Sequence, residues 1–224
     1  MLVQDKLDLL DTAFNKEPIR SFAELGCTWG VEGGYGFYLL DRYELARAVM
    51  VDLSFTDGMT ERARAYPQLS LIQGRFGEPA VARASGQVDA AILFDVLLHQ
   101  VAPDWDQVLA LWADKVRYML IYNQQWTGPG TIRLIELGEE TYFQNVPAGA
   151  REAYGDLFKM LDEPIPARPE RIYRDSLGIW KWGITDGDLI RSMNRLGFTL
   201  DYYKNCGPAF GLPNFQNHAF LFAK

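Results

Sequence analysis

The sequence predicts an α/β fold: a Rossmann-like, seven-stranded, mostly parallel sheet with an antiparallel C-terminal strand and helices on both faces. Short apolar runs alternate with amphipathic segments through the first two-thirds of the 224-residue chain. The runs are almost continuously apolar, which is typical of parallel strands that are buried on both faces. The last two runs, 198–203 and 218–222, are joined by a Gly- and Pro-rich loop with no room for a crossover helix. We therefore expect this last pair to be antiparallel.

The parallel part of the sheet is predicted from five runs in chain order: 21–25, 48–52, 70–73, 88–94 and 118–123. Apolar residues at helical spacing predict helices between and before these strands, over 3–14, 35–48 and 55–66. A further helix is expected to begin at Pro103, because proline is favoured at the first helical position. Near the C-terminus, Thr185 is expected to cap a helix that ends at Gly197.

Residues 124–182, here called the insert, interrupt this alternation. They are irregular and rich in aromatic residues and proline, with one helix expected over 148–161. A connection of this length in a compact domain is usually functional, so we expect a single domain over 1–224 in which the insert is a substrate lid. Eight aromatic side chains either line a substrate pocket or form the core of the lid: Trp126, Tyr142, Phe143, Tyr154, Phe158, Tyr173, Trp180 and Trp182.

The composition limits the partners. A net charge of -7 argues against a nucleic-acid substrate, which normally requires a basic face. Four basic residues of the insert are interpreted as solvated loop charges: Arg168, Arg171, Arg174 and Lys181. No apolar stretch approaches the roughly 20 residues that span a bilayer, and the N-terminal residues do not resemble a signal peptide. The expected location is therefore the cytoplasm, with no membrane partner.

The first candidate motif is the turn Glu24-Leu25-Gly26-Cys27-Thr28-Trp29-Gly30, at the end of the first strand. Glycine allows a sharp turn and a close approach of the backbone to a ligand. The backbone N–H groups of such a turn, and of the helix that follows it, can face an anionic or polar group. The two cysteines, Cys27 and Cys206, lack the spacing of a disulfide framework or a metal site.

Three further candidates follow later strands. Asp52 ends the second strand and precedes Leu53, and its carboxylate can accept two hydrogen bonds at once; it can also cap the next helix. Gln73-Gly74-Arg75-Phe76-Gly77 follows the third strand. Phe94 and Asp95 end the fourth strand, where ligands bind in open α/β sheets, and His99 follows them.

Together these residues resemble the class I S-adenosylmethionine-dependent methyltransferases, over nearly the whole chain outside the insert. The resemblance implies S-adenosylmethionine as the cofactor. It places Glu24 near the amino-acid end of that cofactor, Gly26 and Gly30 in the family's glycine motif, and Asp52 at the ribose hydroxyls. The motif's middle glycine is Thr28 here, whose hydroxyl either restricts the approach of the cofactor or bonds to it.

The resemblance also assigns roles to the later motifs, with one departure. Arg75 stands where the family often has an Asp that bonds the adenine amino group. Since arginine cannot accept a hydrogen bond, adenine is expected to be bound by the backbone at Phe76 or by stacking on its ring. Phe94 and Asp95 are expected beneath the transferred methyl group. His99 is either a general base or a structural residue.

The function predicted in this way is direct methyl transfer to a small molecule, with monomer and homodimer both left open. Two alternatives remain. The departures at Thr28 and Arg75 leave room for a methyltransferase-like binding or regulatory protein without activity. An NAD-dependent oxidoreductase would use Gly-x-Gly-x-x-Gly, of which only Gly26 is present, because Thr28 and Val31 occupy the other two positions.

Overall fold

The computed structural model describes residues 1–175 and 180–224, and among them seven strands form one sheet in the order β6-β7-β5-β4-β1-β2-β3. The strands are β1 (Ser21–Leu25), β2 (Arg47–Asp52), β3 (Leu69–Gln73), β4 (Ala90–Phe94), β5 (Tyr118–Trp126), β6 (Thr199–Pro208) and β7 (Phe215–Ala223). The first five are mutually parallel, while β7 pairs antiparallel with both β5 and β6. The predicted fold class is therefore confirmed, including the antiparallel end.

The helices lie on both faces of the sheet. In chain order they are α1 (Gln4–Lys16), α2 (Gly34–Arg42), α3 (Asp57–Ala63), α4 (Pro79–Ser85), α5 (Trp105–Ala113), α6 (Glu139–Gln144), α7 (Ala150–Tyr154) and α8 (Asp186–Arg195). Alternate strand residues enter two separate cores. One core joins α1, α2 and α3 to residues such as Met50 and Ile92, and the other joins α4, α5 and α8 to residues such as Val49 and Leu93.

Several predicted boundaries are wrong. The second helix ends at Arg42, because Tyr43 has extended backbone and the chain then turns into β2. Helix α5 begins at Trp105 rather than Pro103; Asp104 is its N-cap, with its N–H donating to Gln107 Oε1 at 3.0 Å. Strand β5 continues three residues into the insert, as far as Trp126. Helix α4 was not predicted at all.

The insert contains several short elements instead of one helix over 148–161. Glycine residues flank α7, and a 3-10 turn over Leu157–Lys159 follows it, so the predicted helix is broken. Two small antiparallel sheets are formed within the described part of the insert, Ile132–Arg133 with Trp182–Gly183 and Pro164–Ile165 with Arg168–Ile172.

Many of the insert's aromatic side chains pack against one another. The rings of Tyr142, Phe143 and Phe158 have centroids 5.1–5.7 Å apart. Trp126 and Trp180 pack on Phe215 of β7 at about 5 Å, which fixes this small core to the sheet. Of the two alternatives for these residues, a core of the insert itself is the one that these contacts support.

One of the four insert residues interpreted as solvated charges is buried. Lys181 is 1% exposed, and its Nζ donates to the Arg174 carbonyl at 2.6 Å. Burial lowers the pKa of this lysine to about 7. No helix within residues 1–175 and 180–224 has the length and apolarity to cross a membrane.

Candidate functional site

The turn after β1 depends on glycine at Gly26. Its φ is +77°, a conformation that side chains disfavour, and a Cβ there would lie 2.6 Å from Cγ1 of Val96. The Gly26 N–H donates to the Val51 carbonyl at 2.8 Å, which joins the turn to β2. Gly30 also has positive φ, +74°, but faces open space. The turn is therefore packed at Gly26 and Cys27 and exposed at Trp29 and Gly30.

Asp52 fastens the ends of β1 and β2 together. Its Oδ2 accepts from the Thr28 N–H and its Oδ1 from the Leu53 N–H, both at 2.7 Å. The Thr28 hydroxyl donates to the Ser54 carbonyl at 2.9 Å, so the residue that replaces the middle glycine adds a second link between the two turns. Each carboxylate oxygen retains capacity for another hydrogen bond.

Glu24 lies beneath the turn, in the core. Its carboxyl group is fully buried and accepts from the Gly36 N–H at 3.0 Å, and a Cβ at Gly36 would come within 2.5 Å of that oxygen. Burial, with a smaller contribution from the nearby Asp52, raises the pKa of Glu24 to about 8, although the Gly36 hydrogen bond acts in the opposite direction. At neutral pH this group is therefore mostly protonated.

Four of the predicted site residues line one cavity. Asp52, Leu53, Arg75 and Phe76 border a space of about 140 Å³, which is also lined by Gly74, Gly77, Glu78, Gln100, Val101, Ala102, Pro103 and Arg171. Pockets that enclose a whole drug-sized ligand measure about 300–1,000 Å³. This cavity is therefore large enough for one end of a ligand, such as a planar ring system.

The cavity wall after β3 is held rigidly. The Phe76 carbonyl accepts from Trp112 Nε1 at 2.9 Å, so this carbonyl is already engaged, and a Cβ at Gly26 would be 3.4 Å from the Phe76 ring. Arg75 lies 4.0 Å from Glu78. Burial, together with Arg168 and Arg171, lowers the pKa of Arg75.

A wider groove borders the turn. It measures about 910 Å³, is open to solvent, and is lined by Thr28, Trp29 and Gly30 together with the N-terminal residues Met1 and Leu2. Trp29 is 94% exposed at its edge. The glycine turn therefore contributes to a large groove, whereas Asp52 and Arg75 contribute to the smaller cavity.

At the end of β4 an ion pair between a buried lysine and a partly exposed aspartate lies beside three aromatic rings. Asp95, with φ of +57°, pairs with Lys6 of α1 and accepts from Gln124 Nε2 at 2.7 Å. The Lys6 ammonium is 5.0–5.7 Å from the ring centroids of Tyr35, Phe94 and Tyr122. This arrangement brings α1 to the same sheet edge as the predicted residues Phe94 and Asp95.

His99 ends a 3-10 turn over Leu97–His99, which is bound to the insert on either side of the histidine. The Lys181 N–H donates to the Leu98 carbonyl at 2.9 Å, and Trp182 Nε1 donates to the Gln100 carbonyl at 2.8 Å. His99 is partly buried there. The other histidine, His218, lies on β7, where Nδ1 pairs with Asp186 at 2.8 Å.

Two residues of this region were not found from the sequence. Lys6 is 5% exposed, and a signal was available, since it shares the buried stripe of α1 with Leu9, Leu10 and Ala13. A charged residue on an apolar stripe needs a buried partner. Arg171 is interpreted from the sequence as a solvated loop charge, which is wrong, because it lines the cavity and its Nη1 is buried. Its position on a two-stranded piece of the irregular insert gave no signal of this.

Comparisons with known proteins identify the fold. No family model and no curated protein matches the sequence. Among solved structures, the chain is similar to a 1,6-didemethyltoxoflavin-N1-methyltransferase from Burkholderia thailandensis, bound to its substrate and S-adenosylhomocysteine (12% identity, 99% of this chain and 77% of that one, TM-score 0.62). It is also similar to geranyl diphosphate methyltransferase in complex with S-adenosylmethionine (12% identity, 98% of this chain and 84% of that one, TM-score 0.59). A third is magnesium protoporphyrin IX methyltransferase from Synechocystis with bound S-adenosylhomocysteine (14%, 98% and 81%, TM-score 0.58). The chain has the class I S-adenosylmethionine-dependent methyltransferase fold.

Proposed function

We propose that this protein is an S-adenosylmethionine-dependent methyltransferase that transfers a methyl group directly to a small molecule. The observation that carries the proposal is that three candidate binding features lie at the same edge of the sheet. On this fold, Gly26, Asp52 and the cavity beside Phe76 all lie where strands β1, β2 and β3 end. Ligands bind at this edge of open α/β sheets.

The residues present fit the proposed cofactor. Gly26 allows the sharp turn after β1 through its positive φ, and Asp52 offers carboxylate oxygens that can accept from hydroxyl groups. The cavity offers a space for a planar base, with the Phe76 ring in its wall. Glu24, Asp95 and Lys6 provide polar groups near the turn, where the amino-acid end of the cofactor is expected.

When it is bound, S-adenosylmethionine supplies a methyl group that its positive sulfur already activates. The chain's contribution is then to orient the two reactants and to exclude water, which lowers a barrier by roughly 7–11 kcal/mol in favourable cases. The insert covers the turn that carries His99, and hydrogen bonds from Lys181 and Trp182 fasten it there. It is thus the part of the chain suited to form the acceptor site.

A small-molecule acceptor is favoured by the charge and by the neighbours. A net charge of -7 is unsuited to a polyanionic substrate. The structurally similar proteins named above include a 1,6-didemethyltoxoflavin-N1-methyltransferase and a geranyl diphosphate methyltransferase.

The test is calorimetric titration of the purified protein with S-adenosylhomocysteine and, separately, with NAD. S-Adenosylhomocysteine is expected to bind, and Asp52→Ala to weaken binding by about 10-fold or more, as for lost hydrogen bonds to a charged group. NAD is expected not to bind, since the sheet ends in an antiparallel pair and the dinucleotide motif is incomplete. A protein that bound only NAD would refute the proposal.

His99 is the proposed general base for a hydroxyl or amine acceptor. His99→Ala should slow methyl transfer, typically by a factor of about 10²–10⁴, while affinity for S-adenosylhomocysteine stays unchanged. His99→Gln is the matched variant that retains a polar side chain. Full activity of both variants, once an acceptor is known, would remove His99 from the mechanism.

The second candidate is a methyltransferase-like binding protein without activity. Two observations favour it. Both oxygens of Asp52 already accept backbone N–H groups, and Thr28 fastens the turn to Ser54. Such a protein would either bind no S-adenosylhomocysteine or bind it without transferring a methyl group to any acceptor tested.

A further inference from the structure

Arg171 has a buried hydrogen-bond donor that lacks a partner, and the residue contributes to the wall of the cavity beside Asp52 and Phe76. The residue lies on the insert strand Arg168–Ile172 and contributes to the cavity wall. Its Nη2 donates to the Ala102 carbonyl at 2.9 Å, which fixes the guanidinium group. Its Nη1 is buried and has no hydrogen-bond partner among the residues that the structure describes. A buried unpaired donor is unfavourable, and an acceptor supplied by a ligand would satisfy it.

The other polar groups of the cavity show what kind of acceptor fits. The two carboxylates of the wall have other contacts: Asp52 with the Thr28 and Leu53 N–H groups, and Glu78 with Arg75 at 4.0 Å. Gln100 donates its Nε2 to the Val96 carbonyl at 2.9 Å, which leaves its Oε1 as an acceptor. The wall thus combines an unpaired donor, an amide acceptor and the flat ring of Phe76.

This combination suits a nitrogen heterocycle better than an anion. A purine carries ring nitrogens that accept hydrogen bonds, and adenine adds an amino group that donates one. A phosphate or carboxylate would use the guanidinium groups of Arg75 and Arg171, but it would gain nothing from the Gln100 acceptor or the Phe76 ring. It would also lie beside the carboxylates of Asp52 and Glu78.

We propose that Arg171 binds the base of the cofactor, donating from Nη1 to a ring nitrogen of adenine. The inference rests on the proposed function. It gives the insert a second role, because a residue of the insert then contacts the cofactor as well as any acceptor. The adenine base is then contacted by Arg171, a residue that lies far along the sequence from β3 and Arg75.

The test uses calorimetric titration of the wild type, Arg171→Met and Arg168→Met. The ligands are S-adenosylhomocysteine and its 1-deaza, 3-deaza and 7-deaza analogues, each of which replaces one ring nitrogen by a C–H group. Arg171→Met should weaken S-adenosylhomocysteine binding about 10-fold or more. Arg168→Met, an exposed change on the same strand, should stay within about twofold. One deaza analogue should bind the wild type more weakly than S-adenosylhomocysteine does, by a similar factor. The same analogue and S-adenosylhomocysteine should bind Arg171→Met with equal affinity.

Each contrary result has its own meaning. A wild type that binds S-adenosylhomocysteine equally well as Arg171→Met would overturn the role of Arg171 and leave the proposed function standing. Wild-type protein that binds no S-adenosylhomocysteine would overturn both. If phosphate alone binds, and Arg171→Met abolishes it, the residue serves an anion and the base contact is refuted. The deaza analogues decide the question with the wild type even if Arg171→Met fails to fold. If all three bind as tightly as S-adenosylhomocysteine, a ring-nitrogen contact is excluded.

Discussion

Glu24 illustrates how one buried side chain couples the proposed site to the stability of the fold. Its carboxyl group lies under the glycine turn and accepts from the Gly36 N–H, and the residue is only 3% exposed. Burial favours the neutral form and raises the pKa to about 8, against 4.5 in the absence of these effects. The folded protein therefore keeps a proton that the unfolded chain releases.

The stability of the protein should fall as the pH rises through this interval. The contribution of Glu24 is fully present below about pH 4.5, decreases above it, and is lost once the pH passes about 8. Glu24→Gln cannot ionise, and its amide oxygen can still accept from Gly36. The variant should therefore gain stability over the wild type between pH 5 and pH 8, in urea unfolding series at several pH values.

The control for this prediction is Glu44→Gln, an exposed change that should follow the wild-type pH profile. Parallel profiles for the wild type and Glu24→Gln would show that Glu24 is ionised in the folded state at neutral pH. That result would contradict the argument from burial.

At the scale of elements, the sequence predicts best where one physical signal dominates. The five parallel strands are predicted to within about two residues at their starts, since each is a short, mostly apolar run; β2 and β4 are almost completely buried, whereas β3 is only partly buried. Helix α4 was missed because its seven residues, Pro79–Ser85, contain only a single large apolar side chain, Val81. The small sheets of the insert were missed because strands of two to five residues carry no readable period.

The candidate site follows the same rule. Glycine and carboxylate positions at strand ends, such as Gly26 and Asp52, are visible in the sequence because strand position alone gives them their surroundings. Lys6 and Arg171 reach the site from α1 and from the insert, through tertiary contacts. The sequence does not specify those contacts; for Lys6 it offers only the indirect signal of a charge on the buried stripe of α1, and for Arg171 it offers none.

Helix α8 offers a direct test of a predicted cap. The Thr185 hydroxyl accepts from the Asp188 N–H at 3.3 Å and donates to the Asp188 carboxylate at 2.8 Å. Thr185→Ala should lower the free energy of unfolding by about 1 kcal/mol, measured by urea denaturation. Thr185→Ser keeps the hydroxyl and should lose much less. Equal losses for both variants would assign the effect to the methyl group and not to the cap.

For the whole molecule, the arrangement of cores matters more than any single element. The sheet has a core on each face, and the insert has its own cluster around Leu134, Tyr142 and Val146. This cluster is joined to the sheet through Ala209, which follows the last residue of β6, and Phe215, which is the first residue of β7. A separate cluster with a limited connection is the arrangement expected of a segment that can open by itself.

Tyr142→Ala should therefore loosen the insert without unfolding the sheet. Tyr142 is fully buried, and its hydroxyl donates to the Trp180 carbonyl at 3.2 Å, so the change leaves a cavity and an unpaired carbonyl in the insert's cluster. Loss of a large aromatic side chain costs about 3–5 kcal/mol where the site cannot collapse. Native-state hydrogen exchange should show faster exchange for amides in α6, α7 and the insert strands, with amides of β1, β4 and β5 unchanged.

Trp112→Ala, which empties the core on the α5 face, is the matched control and should speed exchange throughout the sheet. Uniform acceleration in Tyr142→Ala would instead mean that the insert and the sheet unfold as one cooperative unit, and the insert could then not act as a lid that opens independently.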